Sequence, residues 1–328
     1  MRFRPTFLRA LFLGATLLSV VLTNVEAQQP TKPPQIGFLC WIACAGPYYE
    51  AFWERLRDLG YADYRNIRFV NQHATGDPAV LQDMARELVR LGVNVIVADT
   101  TVAALAAKNA TGSIPIVAIT DDPVRSGLVA SLARPGGSIT GLSLVTPELS
   151  AKRLELLKAA VPSASRVGVL WSPGIPAIAP TLREMEIAAP ALDITIHLPE
   201  GRRLMELDRA LGRMTNGRVD ALIVFTDTRT MSQPELIVRR VLESRLPAMY
   251  DHTDLVAAGG LMAYGASVRD LYQRAARYVD KVLKGAKPAD LPIERPARFD
   301  FVINMKTARA LGLEIPPSLL IRADKIIE

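Results

Sequence analysis

The sequence predicts an α/β fold of two lobes, each built on a parallel sheet. Three observations predict it. Short apolar runs rich in β-branched residues, such as residues 93–98 (VNVIVA) and 114–119 (IPIVAI), suit strands buried on both faces. These runs alternate with helical patterns, the βαβ order of a parallel sheet with right-handed crossovers. The second half of the chain then repeats the element order of the first without obvious residue identity.

Residues 35–40 (QIGFLC) read as the first strand, followed by a loop with Gly46 and Pro47. Residues 48–59 carry Phe52, Leu56 and Leu59 at helical spacing, and Gly60 stops them. A strand over 66–70 precedes a helix that Asp77 and Pro78 start and Gly92 closes. The third strand, 93–98, runs into Asp99-Thr100-Thr101, residues suited to an N-cap, and then an alanine-rich helix over 102–108. The fourth strand, 114–119, ends in Thr120-Asp121-Asp122-Pro123. A short helix is expected over 127–133, a break at Pro135-Gly136-Gly137, and a strand over 139–144 leading away. A helix over 147–160 bears charges on one face.

The second round runs strand 166–171 (RVGVLW), helix 177–189, strand 193–198, helix 204–214, strand 220–225 (DALIVF), helix 234–244, strand 246–250 and strand 261–264. Here too strands end in small polar residues, Thr226-Asp227 and Asp251. A long amphipathic helix over 268–283, a proline-marked connector (Pro288, Pro292, Pro296), a strand over 298–304, a short helix over 307–311 and a final helix from Ser318 complete the chain.

Arg2, Arg4 and Arg9 followed by the apolar run 10–22 and Val25-Glu26-Ala27 have the pattern of a secretory signal peptide cut after Ala27. The apolar run is short for a membrane span, which needs about 20 residues. The expected location is therefore the periplasm. Removing those 27 residues from 328 leaves 301, enough for two ordinary domains, and lowers the net charge from +6 to +4. That mild, dispersed charge gives no reason to expect nucleic acid as a partner. Cys40 and Cys44 lie four residues apart, so either a disulfide across the loop or two buried thiols fit. None of His73, His197 and His252 is near them in sequence, so neither a metal nor a cofactor is expected.

Four long runs resemble the ABC-transporter substrate-binding proteins that include the TrpX-like tryptophan binders. They are residues 93–124, 127–162 (GLVASLARPGGSITGLSLVTPELSAKRLELLKAAVP), 257–313 and 315–328. The resemblance covers almost the whole chain after the signal segment. It implies a type I periplasmic-binding-protein fold: two Rossmann-like lobes, a multi-crossing hinge and a ligand in the cleft. The crossings are expected near Leu142, Tyr264 and Pro296. Lobe one would comprise 28–142 plus 265–296, and lobe two 143–264 plus 297–328. In two places the chain departs from the family pattern. The loop CWIACAG (40–46) is more apolar, and Asp99 stands where many relatives carry glycine or another small residue.

Ligands of open α/β sheets bind at the carboxyl ends of the strands. The candidate ligand-binding residues are therefore Trp41, Asp99, Thr100, Thr101, Thr120, Asp121 and Asp122 in lobe one. In lobe two they are Trp171, Ser172, Thr226, Asp227, Tyr250 and Asp251. The helix start after Asp99 suits a carboxylate, an aspartate suits an ammonium, and Trp171 could stack on a flat ligand. Each has a plainer alternative: helix capping, an Asx turn before Pro123, or packing. The expected function is a monomeric periplasmic receptor that captures a small carboxylate or amino-acid-like ligand, with an aromatic one favoured, and passes it to the membrane permease of an ABC importer. A ligand sensor that signals to a membrane receptor is the alternative. A secreted enzyme finds no support, since GxSxG, HExxH, P-loop and GxGxxG motifs are all missing from the sequence.

Overall fold

The computed structural model describes residues 32–144, 149–171, 178–198, 207–226, 231 and 233–328. The signal segment, Ser172 and Asp227 lie outside the described residues.

The first sheet contains β1 (Gln35–Cys40), β2 (Arg68–His73), β3 (Val95–Ala98), β4 (Ile116–Thr120) and β5 (Ile139–Ser143), in the order β2-β1-β3-β4-β5 and parallel throughout. Its central strands β3 and β4 are buried along their whole length, as continuous apolar runs rich in Val and Ile require, and the edge strand β5 is buried as well. One face is covered by α1 (Pro47–Asp58), which packs with α9 (Val268–Leu283) and fills the layer with Phe38, Phe52, Leu271 and Val279. The other face is covered by α2 (Pro78–Arg90) and α3 (Thr101–Ala110). Both of these helices start on side-chain caps: Asp77 accepts the Ala79 N–H at 2.8 Å and Thr100 accepts the Ala103 N–H at 3.2 Å. Gly141 is fixed by close strand approach, because a Cβ there would lie 2.0 Å from the Ala118 carbonyl oxygen.

The second sheet has the order β12-β11-β10-β9-β8-β6-β7. Its strands are β6 (Arg166–Leu170), β7 (Thr195–His197), β8 (Ala221–Val224), β9 (Ala248–Tyr250), β10 (Met262–Ala266), β11 (Phe299–Asn304) and β12 (Lys325–Ile327). Among the described residues only the β10–β11 pair of this sheet is antiparallel. The strands β7-β6-β8-β9-β10 repeat the order and sense of β2-β1-β3-β4-β5, so the repeat read in the sequence is a repeat of topology. α4 (Leu149–Ala160) and α5 (Ile178–Ala188) contribute to the core on one face, and α6 (Leu207–Asn216), α7 (Pro234–Glu243) and α8 (Thr253–Ala257) to that on the other. α10 (Met305–Ala310) and α11 (Pro317–Arg322) close the end of the chain.

The chain passes between the two layered units three times: between β5 and α4, at Ser267 between β10 and α9, and between Glu294 and β11. Glu294 still bridges to Leu142 at the edge of the first sheet. Gly265 and Ala266 belong to the second sheet as the end of β10, slightly beyond the expected crossing at Tyr264.

Three details differ from the sequence expectations. Residues 127–133 form turns instead of a helix: Gly127 takes φ +72°, and the N–H groups of Leu128 and Val129 both donate to the Pro123 carbonyl. That geometry starts no helical ladder, and so short an isolated helix is unstable. A helix, α8, follows β9 directly, capped by His252, whose Nδ1 accepts the Asp254 N–H at 3.3 Å. The last segment ends in an edge strand, β12, which Asp324 pins by accepting the Phe301 N–H at 2.7 Å.

Candidate functional site

In a sheet ordered 2-1-3-4-5, the crevice lies where the strand order reverses, between β1 and β3. The chain leaves β1 into the loop Trp41–Gly46 and leaves β3 into Asp99 and the start of α3. The second sheet reverses between β6 and β8, where the chain continues into Trp171 and into Phe225 and Thr226. The carboxyl ends of both sheets face one cavity of about 360 Å³, within the range of sites for small organic ligands. Lobe one lines it with the β1–α1 loop, Tyr48, Asp99, Thr100, Thr101 and Asp121, and lobe two with Arg153, Phe225, Thr226, Asp251, His252 and Asp254.

Asp99 sits at the floor. Its carboxylate accepts the Trp41 N–H at 3.0 Å and so ties the β1 loop to the start of α3. Burial pushes its pKa up to about 7, against the opposing effect of that hydrogen bond. Thr101 and Asp121 are linked between α3 and the end of β4: the Asp121 N–H donates to the Thr101 hydroxyl at 3.1 Å, and the hydroxyl lies 3.4 Å from the Asp121 carboxylate. Thr100 spends its side-chain oxygen on the helix cap.

Opposite them, Asp251 is held by Thr226, whose N–H and hydroxyl donate to the carboxylate at 3.1 Å and 2.8 Å. Burial raises the Asp251 pKa, and the positive charge of Arg153 opposes the rise. The Arg153 Nε–H donates to the Tyr264 carbonyl at 2.7 Å, and its guanidinium carbon lies 5.4 Å from the Phe225 ring centre. Tyr48 reaches across the cleft and donates its phenol to Asp254. The Tyr48 ring lies near His252 and Tyr272, with centroids 6.3 Å and 5.9 Å apart. Burial, then the Asp254 charge, holds the Tyr48 phenol well above its ordinary pKa.

Seven of the residues chosen from the sequence therefore share one cavity: Trp41, Asp99, Thr100, Thr101, Asp121, Thr226 and Asp251. Four described ones do not line it. Thr120 is buried in the sheet. Asp122 accepts the Arg125 N–H at 3.0 Å in the turn at Pro123, the plainer alternative for that position. Trp171 packs on the lobe-two core beside α4 and α5. Tyr250 is fully buried among Leu222, Val241 and Leu255, with its hydroxyl unpartnered among the described residues, because alternation along β9 turns Tyr250 inward and Asp251 toward the cleft. Trp41 is itself almost wholly buried against Ala74 and Leu81, so little of its ring is open to a stacking ligand.

Sequence reasoning missed Arg153, Phe225, His252, Asp254 and Tyr272. For Arg153 there was a signal: it falls on the buried stripe of α4 with Leu149, Leu156, Leu157 and Ala160, where a charged residue needs a partner. Tyr272 and Asp254 gave none, since each reads locally as an ordinary helix residue.

The sequence profile of the family described as ABC transporter substrate binding protein matches residues 47–327. The chain belongs to that family. It is 30% identical over 268 residues to a tyrosine-binding protein of Clostridioides difficile (strain R20291), covering 81% of this chain and 76% of that protein. It also resembles the structure of an ABC domain in complex with L-Trp from Streptococcus pneumonia. The TM-score is 0.80 and the identity 29%, with 90% of this chain and 99% of that one covered. The ligand-free, open structure of a substrate binding protein with adhesive properties from Clostridium difficile gives a TM-score of 0.71 at 25% identity, over 90% of this chain and 99% of that one. The architecture of this substrate-binding protein is thus the type I periplasmic-binding-protein fold that the sequence resemblance implied.

Proposed function

We propose that this substrate-binding protein captures an aromatic amino acid between its lobes and delivers it to the membrane permease of an ABC importer. The observation that carries the reading is the composition of the cavity. Among the described residues, four aspartates (Asp99, Asp121, Asp251, Asp254) and one guanidinium (Arg153) converge on a space walled by Tyr48, Phe225 and Tyr272. A zwitterion with a flat side chain satisfies that set: the carboxylates take the ammonium, Arg153 and the free N–H groups at the start of α3 take the carboxylate, and the rings take the side chain. The tyrosine-binding and L-Trp-bound relatives support the same ligand class. Capture begins on lobe one, closure follows as a hinge motion at the three crossings, and contacts from Arg153 and Asp251 are added on closing. The division into lobes 28–142 plus 265–296 and 143–264 plus 297–328 belongs to this proposal, as do export by the cleaved signal segment and a monomeric receptor.

A thermal-shift screen of aromatic and aliphatic amino acids, aromatic acids and sugars tests the ligand class. Aromatic amino acids at 100 times their dissociation constant should add about 2.7 kcal/mol of stability; stabilisation by sugars alone would refute the reading. Asp121→Ala removes a charged partner of the ligand and should weaken binding by about 1.5–3 kcal/mol, roughly tenfold to a hundredfold. His73→Ala, at an exposed position at the end of β2, is the control. Wild-type affinity in calorimetry of Asp121→Ala would remove that residue from the site.

Asp99 gives the site a pH dependence. With its pKa near 7, it is largely protonated at pH 6 and ionised at pH 8. The ionised form holds an ammonium better, so affinity should rise over that interval, and Asp99→Asn should flatten the rise. The stability of the ligand-free protein runs the other way. The folded pKa exceeds the ordinary carboxylate value of about 4, so the folded state binds more protons between about pH 4 and 7, and the Asp99 contribution falls as pH rises through that window. An affinity profile with the same slope in Asp99→Asn as in wild type would exclude this role.

A further inference from the structure

We propose that the disulfide between Cys40 and Cys44 is a positioning element of the binding site, which makes ligand affinity depend on the oxidation state of this pair. The inference rests on the functional reading above.

The two cysteines are bonded, with Cα atoms 5.5 Å apart, inside the ordinary span for such a bridge. Cys40 is a fixed anchor. It ends β1, is buried with Phe38 and Phe52, and its carbonyl accepts the Ala74 N–H at 3.2 Å. Cys44 lies four residues on, in the loop that supplies Trp41, Ile42, Ala43 and Ala45 to the cavity wall. The start of that loop is held by backbone bonds: Trp41 donates to Asp99 at 3.0 Å and accepts from the Gly76 N–H at 2.9 Å. Beyond Trp41 such ties stop. Among the described residues the backbone groups of Ile42, Ala43 and Ala45 make no hydrogen bond until Gly46 accepts from Glu50 at the start of α1. The side chains of Ile42, Ala43 and Ala45 are apolar and exposed, so little packing holds them either. The covalent bridge is what returns this stretch of wall to β1.

A loop that must be ordered as ligand binds subtracts its lost freedom from the affinity, and one ordered in advance does not. The ring closed by this bridge is short. On the chain-entropy account a short ring adds less to global stability than a long one, so the main effect of the bridge falls on the wall and not on the fold. Opening it takes two electrons and two protons. A small dithiol attacks as the thiolate at Cys44, which lines the cavity and is half-exposed; it leaves two protein thiols and a cyclic disulfide of the reductant.

The test titrates L-tryptophan and L-tyrosine into the oxidised protein, the protein reduced with dithiothreitol, and Cys44→Ala. Circular dichroism and melting temperature establish that each form is folded. The reduced and Cys44→Ala forms should bind roughly tenfold more weakly, chiefly through faster dissociation, with melting temperatures near that of the oxidised form. Reoxidation of the reduced wild type should restore affinity. A structural role alone would lower the melting temperature and leave the affinity of the folded fraction unchanged. Equal affinity of folded oxidised and reduced protein overturns the proposal. If the oxidised protein binds neither amino acid, the functional reading fails by itself, and hydrogen exchange of amides 41–45 then judges the brace. Faster exchange on reduction supports it, and unchanged exchange overturns it.

Discussion

Arg153→Ala should lose about 1–3 kcal/mol of folding stability, because it removes a buried charged donor and leaves its carbonyl partner without that hydrogen bond. Arg153 is 7% exposed although it carries a full charge. The protein offsets that burial with the Tyr264 carbonyl, the Phe225 ring and the nearby Asp251 carboxylate. Burial works to lower the Arg153 pKa and to raise that of Asp251, while each charge favours the ionised form of the other. Alanine removes the cation and its hydrogen bond to the Tyr264 carbonyl, and leaves Asp251 with Thr226 as its partner. Urea unfolding of Arg153→Ala measures the loss. Arg153→Lys should recover much of the stability, since it keeps a cation and a donor for the Tyr264 carbonyl. Arg153→Lys should still bind amino acids more weakly than wild type, since lysine lacks the planar fork that grips a carboxylate, which separates the role of Arg153 in the fold from its role toward ligand. Wild-type stability of Arg153→Ala would show that Arg153 does not act as described.

Tyr250 gives the second large effect. Placed from the sequence at the cleft, it would act on dissociation of ligand. The structure buries it completely, so Tyr250→Ala should cost about 3–5 kcal/mol of stability by leaving a cavity among Leu222, Val241 and Leu255. Tyr250→Phe should behave in the opposite sense. Among the described residues its hydroxyl has no hydrogen-bond partner, and an unsatisfied buried hydroxyl costs about 1–3 kcal/mol, so phenylalanine should stabilise the protein by roughly 1 kcal/mol. Chemical denaturation of the two variants distinguishes them. Destabilisation by phenylalanine would mean that the hydroxyl has a partner.

The contrast between Tyr250 and Asp251 shows where sequence reasoning reaches its limit. That β9 ends in this dipeptide, and that strand ends of a parallel sheet form the site, followed from the apolar run and the polar residues after it. Which of two neighbours faces the cleft depends on the phase of the alternation, and a strand buried on both faces carries no polar–apolar rhythm to set that phase. The same loss of phase explains Thr120, buried in the sheet, beside Asp121, at the cavity. Arg153 was readable in principle, as a cation on an apolar stripe, but α4 lies between two strand cycles and not at a strand end. Tyr272 and Asp254 come to the site only through tertiary placement, since α9 returns from the second sheet to the first and α8 is a five-residue helix. The two-lobe repeat itself was legible, because buried strands, capped helices and glycine stops are written locally. The 127–133 segment was misread because its apolar residues fit helical spacing while Gly127 and the Pro123 carbonyl impose turns.

Isothermal titration of the folded, oxidised chain with L-tryptophan and with L-tyrosine tests the central claim most directly. The account predicts one saturable site per chain for an aromatic amino acid, weakened roughly tenfold to a hundredfold in Asp121→Ala and unchanged in His73→Ala. No saturable binding of either amino acid by the folded protein, or binding that Asp121→Ala leaves untouched, would contradict it.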